Sequence, residues 1–380
     1  MIRQIRLPFK LKRPVLACGA DLKGAFALAR GREAFLIDGF GDLSDPDNFA
    51  EYERAVKKYQ KRLGIKPQII ACDLHPGYFS TRLAHEYTKY DIRNTIYEIQ
   101  HHEAHIASAI VDNDIKGKVI GIAFDGTGYG SDGNIWGGEF FTGGLKKFKR
   151  AAHLEYIPMP GGEMAIKEPW RMAVSYLYHS FGKIDAAPIL KKRWREKDVA
   201  VMKAMIDKKI NSPLTSSVGR LFDAVGSLVL AKDRVSKEAE LPIELEGLVS
   251  GTGCGSYKFD IRPGCEGLIA ETGGIIRDIV KDLSGKIDTA VISRKFHDTI
   301  ADLILGVSSK LRKKFKLRQV VLSGGVFQNK YLAARAAEIL RASKFKVYIH
   351  SGIPTNDSGI PIGQIAIAGL SSIKREGIYA

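Results

Sequence analysis

The stretch "KVIGIAFDGTGYGSDGNIWGGEFF", Lys118–Phe141, decides the fold. An apolar run leads into a turn that holds Asp125, Gly126, Gly128 and Gly130, and a second apolar run returns. This pattern predicts a strand, an acidic glycine loop and a returning strand. The glycines would let a ligand approach the backbone closely, whereas a plain hairpin with a turn-favouring aspartate is the alternative.

The same plan occurs about a hundred residues earlier in "PVLACGADLKGAFALARGREAFLI", Pro14–Ile37, with Asp21 and Gly24 in the turn. A second pair of segments, Pro67–Thr88 and Arg318–Leu340, repeats an apolar strand, a small-residue loop and a helix. The duplication predicts an α/β protein with two lobes of one plan that face each other across a cleft. In such units, phosphate binds at the N-terminus of the helix.

The predicted boundaries follow from this duplication. Residues 1–115 form an N-terminal α/β lobe and residues 116–380 a C-terminal α/β lobe. Residues from about 150 to 290 have no counterpart in the first half, which predicts a mostly helical insertion in the second lobe. The segment "IPIGQIAIAGLSSIKREG" predicts a final helix that closes the structure.

Length and composition limit the class of protein. The 380 residues exceed the usual single core, and shares of 45% hydrophobic and 26% charged residues are typical of a soluble enzyme. No apolar run is long enough to span a membrane, and the basic start lacks the apolar segment of a signal peptide. We therefore expect a cytoplasmic protein with no membrane partner.

The four cysteines are Cys18, Cys72, Cys254 and Cys265. None forms a CxxC pair, which argues against a zinc ribbon or a disulfide framework. We expect buried or inert thiols.

The chain carries 58 Lys+Arg against 42 Asp+Glu, a net charge of +16. Such a charge attracts polyanions, which include nucleotides, RNA and acidic protein surfaces. Two basic runs stand out, "KKRWREKD" from Lys191 and "KLRKKFKLR" from Lys310. The second closes an amphipathic helical pattern, where basic residues suit the C-terminal dipole. Because aromatic residues are sparse in both runs, charge leaves nucleic acid as a partner class without selecting it.

Three histidines lie within five positions of "IQHHEAHIAS", Ile99–Ser108. His101 and His105 are four residues apart, so in a helix they share one face, which we expect to be exposed. Two imidazoles in this arrangement can hold one metal ion. A pair of partly buried histidines with ordinary hydrogen bonds is the alternative.

Two carboxylates extend this candidate site. Asp125 follows an apolar strand, and Asp357 lies in the turn "PTNDSGIPIGQ" before a helix, where helix capping is the ordinary use of aspartate. Together with His101 and His105 they would form a nitrogen and oxygen ligand set suited to iron or zinc. The histidines would come from one lobe and both carboxylates from loops of the other, so the ion would lie in the cleft.

The sequence offers no protein nucleophile. No Ser-His-Asp order, Cys-His pair or H-E-x-x-H pattern stands out, so we expect a metal ion to polarise the substrate. "LSGGVFQN", with Gly324 and Gly325, is a candidate phosphate loop. "KEPWRMA", with Lys167 and Arg171, is either part of the site or a helix start with Pro169 in its first turn.

These motifs occur as an ordered set over nearly the whole chain. Together with "DLHPGYFSTR", "TSSVGRLFDAVGSL" and "FHDTIADL", they resemble the large C-terminal domain of the HypF family of hydrogenase-maturation carbamoyltransferases. The resemblance implies the duplicated two-lobed fold of the sugar-kinase, Hsp70 and actin (ASKHA) superfamily.

The family resemblance also implies an activity. HypF-like enzymes make carbamoyl-adenylate from carbamoyl phosphate and ATP in a YrdC-like domain. They then transfer the carbamoyl group to the C-terminal cysteine of HypE, on the route to the cyanide ligands of nickel-iron hydrogenase. The sequence has no YrdC-like domain, so a separate YrdC-like protein supplies the intermediate, or the sequence is one domain of a longer protein, or the function has changed. We expect the first of these, with a HypE-like protein as the acceptor of the carbamoyl group. The implied cofactors are Fe²⁺ or Zn²⁺, ATP or carbamoyl-adenylate, and Mg²⁺.

The family's site residues carry over by position. The metal ligands implied by the resemblance are His101, His105, Asp125 and Asp357. The nucleotide-binding residues implied by it are Gly126, Gly128, Lys167, Arg220, Asp223, Gly324, Gly325 and Asn329.

One segment departs from the family pattern. "RVSKEAELPIELEGL", Arg234–Leu248, stands where the family reads close to "ASYEGQAAMELE", so Lys237, Ala239 and Glu240 replace Tyr, Gly and Gln. Two alternatives therefore stay open. One is a TsaD-like tRNA threonylcarbamoyl transferase, which the net charge suits, although "FDGTGYG" and "EPWRMA" look like HypF. The other is a non-catalytic nucleotide-binding HypF paralogue.

Overall fold

A computed structural model describes residues 2–90, 95–182, 193–250 and 255–371. The chain forms two compact units. Unit 1 comprises Met1–Gly117, Gly143–Phe148 and His350–Ala380, and unit 2 comprises Lys118–Thr142 and Lys149–Ile349.

Unit 1 contains a six-stranded mixed sheet in the order β1-β4-β3-β2-β5-β6. Its strands are β1 (Ile2–Arg6), β2 (Val15–Ala17), β3 (Ala25–Arg30), β4 (Glu33–Asp38), β5 (Ile69–Asp73) and β6 (Thr95–Ile99). Its helices are α1 (Pro46–Leu63), α2 (Phe79–Tyr90), α3 (His101–Asp112) and α12 (Ile360–Leu370). Strands β2, β5 and β6 are parallel neighbours, and β1, β4, β3 and β2 pair antiparallel.

The strand, loop and helix predicted for Pro67–Thr88 are confirmed as β5, a short loop and α2. All five β5 residues are buried, as expected of a strand inside a parallel arrangement. The prediction for Pro14–Ile37 was too simple, because this segment forms three strands rather than two. The extra reversal falls at Gly31, whose φ of +63° is a conformation that glycine adopts without strain.

The last described helix, α12, belongs to unit 1, which corrects the predicted lobe of residues 116–380. This helix is apolar and almost wholly buried, so it needs neighbours on every face. It packs on α3 so closely that a Cβ at Gly363 would lie 1.9 Å from the Ala104 carbonyl oxygen. The Gln364 amide accepts from the Gly19 backbone N–H at 2.8 Å and donates to the Gly19 oxygen at 3.1 Å.

Unit 2 contains a mixed sheet with the main order β12-β13-β9-β8-β7-β14-β15 and a short β10–β11 pair beside β8. Its strands are β7 (Val119–Tyr129), β8 (Ile135–Gly144), β9 (Lys147–Leu154), β10 (Ile157–Pro158), β11 (Leu214–Thr215), β12 (Asp260–Pro263), β13 (Leu268–Glu271), β14 (Gln319–Ser323) and β15 (Lys346–Tyr348). Its helices are α4 (Met164–Lys167), α5 (Trp170–Phe181), α6 (Glu196–Asp207), α7 (Val218–Leu230), α8 (Glu240–Leu248), α9 (Gly273–Ser284), α10 (Thr289–Phe315) and α11 (Lys330–Ala342).

Asp125 was predicted in a turn, and the structure corrects this. Strand β7 continues through Asp125, Gly126 and Gly128, and the reversal comes later, where the Gly130 N–H donates to the Asn134 oxygen at 2.9 Å. The glycines let the start of α7 lie against the strand, since a Cβ at Gly219 would come within 2.7 Å of the Gly126 Cα. Asp125 is therefore held by a sheet rather than by a loop.

Residues 150–290 were predicted to be mostly helical, but only about half of the described residues in this range are in helices. The end of β9 and the short strands β10, β11, β12 and β13 also lie there. The helix predicted to end at the Lys310 run is confirmed as α10, which ends at Phe315 and is followed by Lys316 in the left-handed conformation. Of the Lys191 run, residues 191 and 192 lie outside the described residues.

No helix in the described part of the chain is long and apolar enough to cross a membrane. Cys18 and Cys72 are buried free thiols and Cys265 is an exposed one, while Cys254 lies outside the described residues. Burial raises the pKa of Cys18 to about 12, which keeps this thiol protonated and inert.

Candidate functional site

The paired histidines lie in the first turns of α3 in unit 1. Gln100 caps this helix by accepting from the Glu103 backbone N–H at 3.0 Å. The His101 and His105 rings are 5.0 Å apart between centroids, as expected of residues on one helix face. The predicted exposure was wrong, because both side chains are at most 1% exposed. His102, also buried, contacts Gln100 through Nδ1 at 3.1 Å.

Asp357 approaches both histidines. Its Oδ1 lies 3.7 Å from His101 Nε2 and 3.4 Å from His105 Nε2. One ligand atom from each of these three residues lies within 4.8 Å of the others. Asp357 belongs to unit 1, which corrects the prediction that both carboxylates come from the other lobe. Unit 1 alone therefore brings together two imidazoles and one carboxylate.

The loop before Asp357 is anchored by Asp112, the last residue of α3. Its carboxylate accepts from the backbone N–H of Ser351 at 2.6 Å and of Gly352 at 3.1 Å, and it lies 3.6 Å from His350 Nδ1. Burial alone would raise the pKa of Asp112, but these hydrogen bonds outweigh it and lower the pKa to about 2. Helix α3 thus carries the histidines at one end and holds the Asp357 loop at the other.

A second carboxylate fixes the orientation of His101. His101 Nδ1 lies 2.7 Å from Asp73 Oδ2, and Asp73 Oδ1 accepts from the His75 N–H at 2.9 Å. Because a carboxylate only accepts, Nδ1 carries the proton, and Nε2, which points towards Asp357, offers a lone pair to a metal ion. Sequence reasoning missed Asp73, although its position at the end of a fully buried strand was a usable signal.

Asp125 lies in unit 2, beside the predicted nucleotide loop. Its Oδ1 accepts from the Gly126 N–H at 2.8 Å, and a Cβ at Gly325 would lie 2.9 Å from the same oxygen. Gly324 has a φ of +104°, and a Cβ there would lie 2.3 Å from the Phe124 oxygen. Only glycine fits this approach between loop and strand. That Asp125 joins the histidines in one ligand set stays a prediction.

Helix α7 supplies a buried charge pair near this loop. Ser217 caps the helix and donates to the backbone oxygens of Asp125 and Gly126, each at 2.7 Å. Arg220 Nη2 lies 2.9 Å from Asp223 Oδ2, and a Cβ at Gly126 would lie 3.7 Å from the same nitrogen.

Arg220 retains unused donors. Its Nε and Nη1 are buried and have no hydrogen-bond partner among the described residues. Burial raises the pKa of Asp223 to about 6, although the positive charge of Arg220 acts to lower this pKa. A buried guanidinium with spare donors is suited to an anion.

The remaining predicted nucleotide residues are less directly placed. Gly128 is buried in β7, and Lys167 is exposed at the end of α4. Asn329 accepts from the Leu332 N–H at 2.8 Å and contacts His297 Nε2 through Nδ2 at 2.9 Å, so both ends of its amide serve the fold.

The sequence predicted that phosphate binds at the N-termini of the two strand-loop-helix units, but the first amides of both helices already have protein acceptors. The first amides of α2 donate to Asp21, from Phe79 at 2.7 Å and Ser80 at 3.0 Å. Those of α11 donate to Glu246, from Lys330 at 2.6 Å and Tyr331 at 3.1 Å. Because a protein carboxylate already occupies each helix end, an added phosphate would meet its repulsion.

Comparison with known proteins identifies the family. Two family models match the chain: the HypF Kae1-like domain over residues 10–112, and the second subdomain of the carbamoyltransferase Kae1-like domain over residues 121–364. Carbamoyltransferase HypF of Rhizobium leguminosarum bv. viciae is 34% identical over 357 residues, which cover 93% of this chain and 45% of that protein. A carbamoyltransferase HypF homolog of Cupriavidus necator is 32% identical and is covered over 91% of its length.

A solved structure agrees with these matches. The crystal structure of full-length HypF in the phosphate- and nucleotide-bound form is 37% identical, with a TM-score of 0.91, and the match covers 96% of this chain and 47% of that one. The chain thus spans about half the length of full-length HypF proteins and nearly all of the Cupriavidus homolog. The likeness confirms the predicted sugar-kinase, Hsp70 and actin type of fold, and the chain belongs to the HypF family.

Proposed function

We propose that this chain is a carbamoyltransferase that uses a metal ion and carbamoyl-adenylate. The observation that carries the proposal is the approach of His101 Nε2, His105 Nε2 and Asp357 Oδ1 in unit 1, with Asp73 fixing the tautomer of His101. A mixed nitrogen and oxygen set suits Fe²⁺ or Zn²⁺ better than Mg²⁺ or Ca²⁺, which prefer oxygen ligands. Asp125 is proposed as the fourth ligand.

The metal ion, when bound, would polarise the carbamoyl carbonyl and offset the charge of the adenylate phosphate. Unit 2 supplies the groups proposed to hold the nucleotide. The loop of Gly324 and Gly325 is proposed to offer its backbone to a phosphate, and Arg220 offers two buried donors that have no hydrogen-bond partner among the described residues. Mg²⁺ would accompany ATP through its phosphate oxygens.

The proposed acceptor is the C-terminal cysteine of a HypE-like protein. Its thiolate sulfur would attack the carbamoyl carbon, a carbon–sulfur bond would form, and the carbon–oxygen bond to the phosphate would break to release AMP. The thiol proton would go to solvent before the attack. A YrdC-like protein is proposed to supply carbamoyl-adenylate. The cytoplasm is the proposed location of the reaction, and hydrogenase maturation is its proposed role.

The two alternatives have less support. Two HypF domain models match most of the chain, which favours a HypF-like acceptor over a TsaD-like role on tRNA. The changed segment Arg234–Leu248 favoured a non-catalytic paralogue. In the structure the changed residue Glu240 accepts from the Ser236 backbone N–H at 2.8 Å, which gives this replacement a structural role.

A reconstituted transfer assay tests the proposal. The purified chain, a YrdC-like protein, ATP, ¹⁴C-carbamoyl phosphate and a HypE-like acceptor are combined, and label on the acceptor is measured against AMP release. We expect label on the terminal cysteine, with none on an acceptor whose cysteine is serine. If ATP binds but the acceptor stays unlabelled, the non-catalytic alternative is correct. In a parallel reaction, tRNA replaces the acceptor, and ¹⁴C-threonine and bicarbonate replace carbamoyl phosphate; label on tRNA there would favour the TsaD-like alternative.

A further inference from the structure

One edge of unit 2 carries an accumulation of positive charge that the proposed reaction does not use. Between Asp302 and Asp357 the sequence has eleven Lys and Arg residues and a single acidic residue, Glu338. Nine exposed cations lie at this edge and are called here the basic edge: Lys118, Lys310, Lys313, Lys314, Lys316, Arg318, Arg341, Lys344 and Lys346.

The fold gathers these residues at the N-terminal ends of three parallel strands. Lys118 precedes β7, Arg318 precedes β14, and Lys346 begins β15. The Lys346 N–H donates to the Arg318 oxygen at 2.9 Å, and the Gln319 side chain donates to the Lys118 oxygen at 3.4 Å. These contacts make the three positions direct neighbours.

Two helix ends add the other cations. Helix α10 ends at Phe315 and leads into β14, and α11 ends at Ala342 and leads into β15. The half-buried Arg312 joins the two ends, because its Nη1 donates to the Ser343 oxygen at 2.7 Å. The basic edge is therefore one continuous surface built from five elements.

Helix dipoles explain only part of this charge. Basic residues stabilise the last turn of a helix, which accounts for Lys313, Lys314 and Arg341. The dipole gives no reason for Lys118, Arg318 and Lys346, which stand at strand starts. Within the described ranges, no carboxylate forms an ion pair with any of the nine residues, although ion pairs are common elsewhere in unit 2. The charge is left available to an outside anion.

We propose that the basic edge binds the phosphate backbone of a single nucleic-acid strand. A protein partner fits less well, because protein interfaces need an apolar centre and are depleted in lysine. The large apolar side chains exposed here are Phe315 and Ile349. The phosphates of a nucleic-acid strand require cations at repeated short intervals, and the basic edge offers cations at the starts of three neighbouring strands, whose backbones lie about 4.8 Å apart.

This surface is distinct from the proposed nucleotide loop. Gly324 follows the opposite end of β14, about 16 Å away at 3.3 Å per residue. The inference therefore does not depend on the proposed carbamoyl transfer.

A matched pair of triple variants tests the inference. One variant removes three cations of the basic edge, Lys313→Gln, Arg318→Gln and Lys346→Gln. The control removes three exposed cations of unit 1, Lys58→Gln, Lys61→Gln and Lys66→Gln, so both variants lose the same net charge. Fluorescence anisotropy measures binding of a labelled 20-nucleotide RNA to the full chain between 50 and 300 mM KCl, with thermal unfolding to check that both variants fold.

We expect the basic-edge variant to lose about twentyfold in affinity and its log–log salt slope to fall by about two, since each lost phosphate contact removes about 0.7. The control should change affinity less than about twofold, and DNA of the same sequence should bind like RNA. The inference is overturned if the wild type does not bind at 50 mM KCl or if the control loses as much. It is also overturned if poly-glutamate displaces the RNA at equal charge, because the surface would then suit an acidic protein.

Discussion

The first turn of α2 in unit 1 and that of α11 in unit 2 have the same kind of cap, a carboxylate that accepts from the first backbone N–H groups of the helix. Each helix follows a buried parallel strand and a short loop, and each would leave free backbone N–H groups at its start. Asp21 occupies the amides of α2, and Glu246 occupies those of α11. Because both helix ends are neutralised from within, neither is left for a ligand.

The two units differ in what stands beside these closed helix ends. Unit 1 gathers His101, His105 and Asp357, a set suited to a cation. Unit 2 gathers a glycine loop and the buried donors of Arg220, a set suited to an anion. A duplicated plan has thus diverged through a few side chains, so variants should separate metal binding from nucleotide binding.

The largest expected effect is loss of the metal from unit 1. His105→Ala should weaken binding of Zn²⁺ by at least about 100-fold, because it removes a proposed ligand rather than a supporting group. His102→Ala is the matched control, since His102 is equally buried on the same helix but contacts Gln100. Metal content after dialysis and a competitive chelator titration provide the measurement.

ATP affinity measured without added Fe²⁺ or Zn²⁺ should stay unchanged in His105→Ala, because the residues proposed to hold the nucleotide lie in unit 2. Equal metal loss in both histidine variants would show that damage to α3, and not loss of a ligand, explains the result.

The next effect concerns the anion side of the comparison. Arg220→Met should weaken ATP binding about 30-fold, since a hydrogen bond to a charged group contributes about 2 kcal/mol. Arg171→Met serves as the control, because Arg171 is also partly buried and paired with a carboxylate, Glu168. Calorimetric titration with ATP is the measurement. Unchanged ATP affinity in Arg220→Met would remove this residue from the site.

A pH experiment sharpens the contrast between two buried carboxylates. Asp112 in unit 1 has a pKa lowered to about 2, whereas Asp223 in unit 2 has a pKa raised to about 6. The lowered pKa means that Asp112 stabilises the fold above about pH 4 and that this contribution is lost as the pH falls towards 2. It amounts to about 2 kcal/mol in the free energy of unfolding.

Urea unfolding of metal-free protein at pH 5 and pH 2.5 measures this contribution. Asp112→Asn should lower the stability at pH 5 and lose less than the wild type on acidification. Parallel pH profiles for the two proteins would contradict the assigned role.

The smallest effect is expected at the two helix ends. Asp21 is buried and receives three hydrogen bonds, two from backbone N–H groups and one from the Ser80 hydroxyl at 2.7 Å, whereas the bonds of Glu246 are more exposed. Asp21→Asn should cost about 1.5 kcal/mol of unfolding free energy and Glu246→Gln about 0.7 kcal/mol. Urea unfolding at pH 7 gives both values. A larger loss in Glu246→Gln would reverse the ranking.

The sequence predicted the type of fold because the strand, loop and helix order was repeated, and the resemblance supplied its name. It did not predict that α12 joins unit 1, since that depends on the close fit of Gly363 against Ala104, a contact between distant parts of the chain. The predicted strand also ended before Asp125, whereas β7 continues beyond it, because a run of glycines in a sequence is typical of a turn. These glycines serve instead as the place where α7 meets the strand.

The sequence predicted which residues form the candidate site, but it did not predict their burial or the residues that support them. The histidines were expected on an exposed face, yet the eight residues Ala104–Val111 carry no formal charge apart from His105, which could have indicated a buried helix. Asp73 and Asp112 were missed because their roles depend on hydrogen bonds to loops far away in the sequence. The spacing of residues in the sequence identifies candidate ligands. The carboxylates that orient them are identified only in the folded structure.

The packing of α12 on α3 has a consequence for synthesis on the ribosome. Unit 2 is almost continuous in the chain, whereas unit 1 waits for a helix that is made about 250 residues after its partner. At about 5–20 residues per second, α3 is without this neighbour for roughly 12–50 s. Asp357 is translated in the same late segment. Unit 1 is therefore completed late in translation, in the same step that brings its proposed metal ligands together. The nascent protein can bind the metal only after this step.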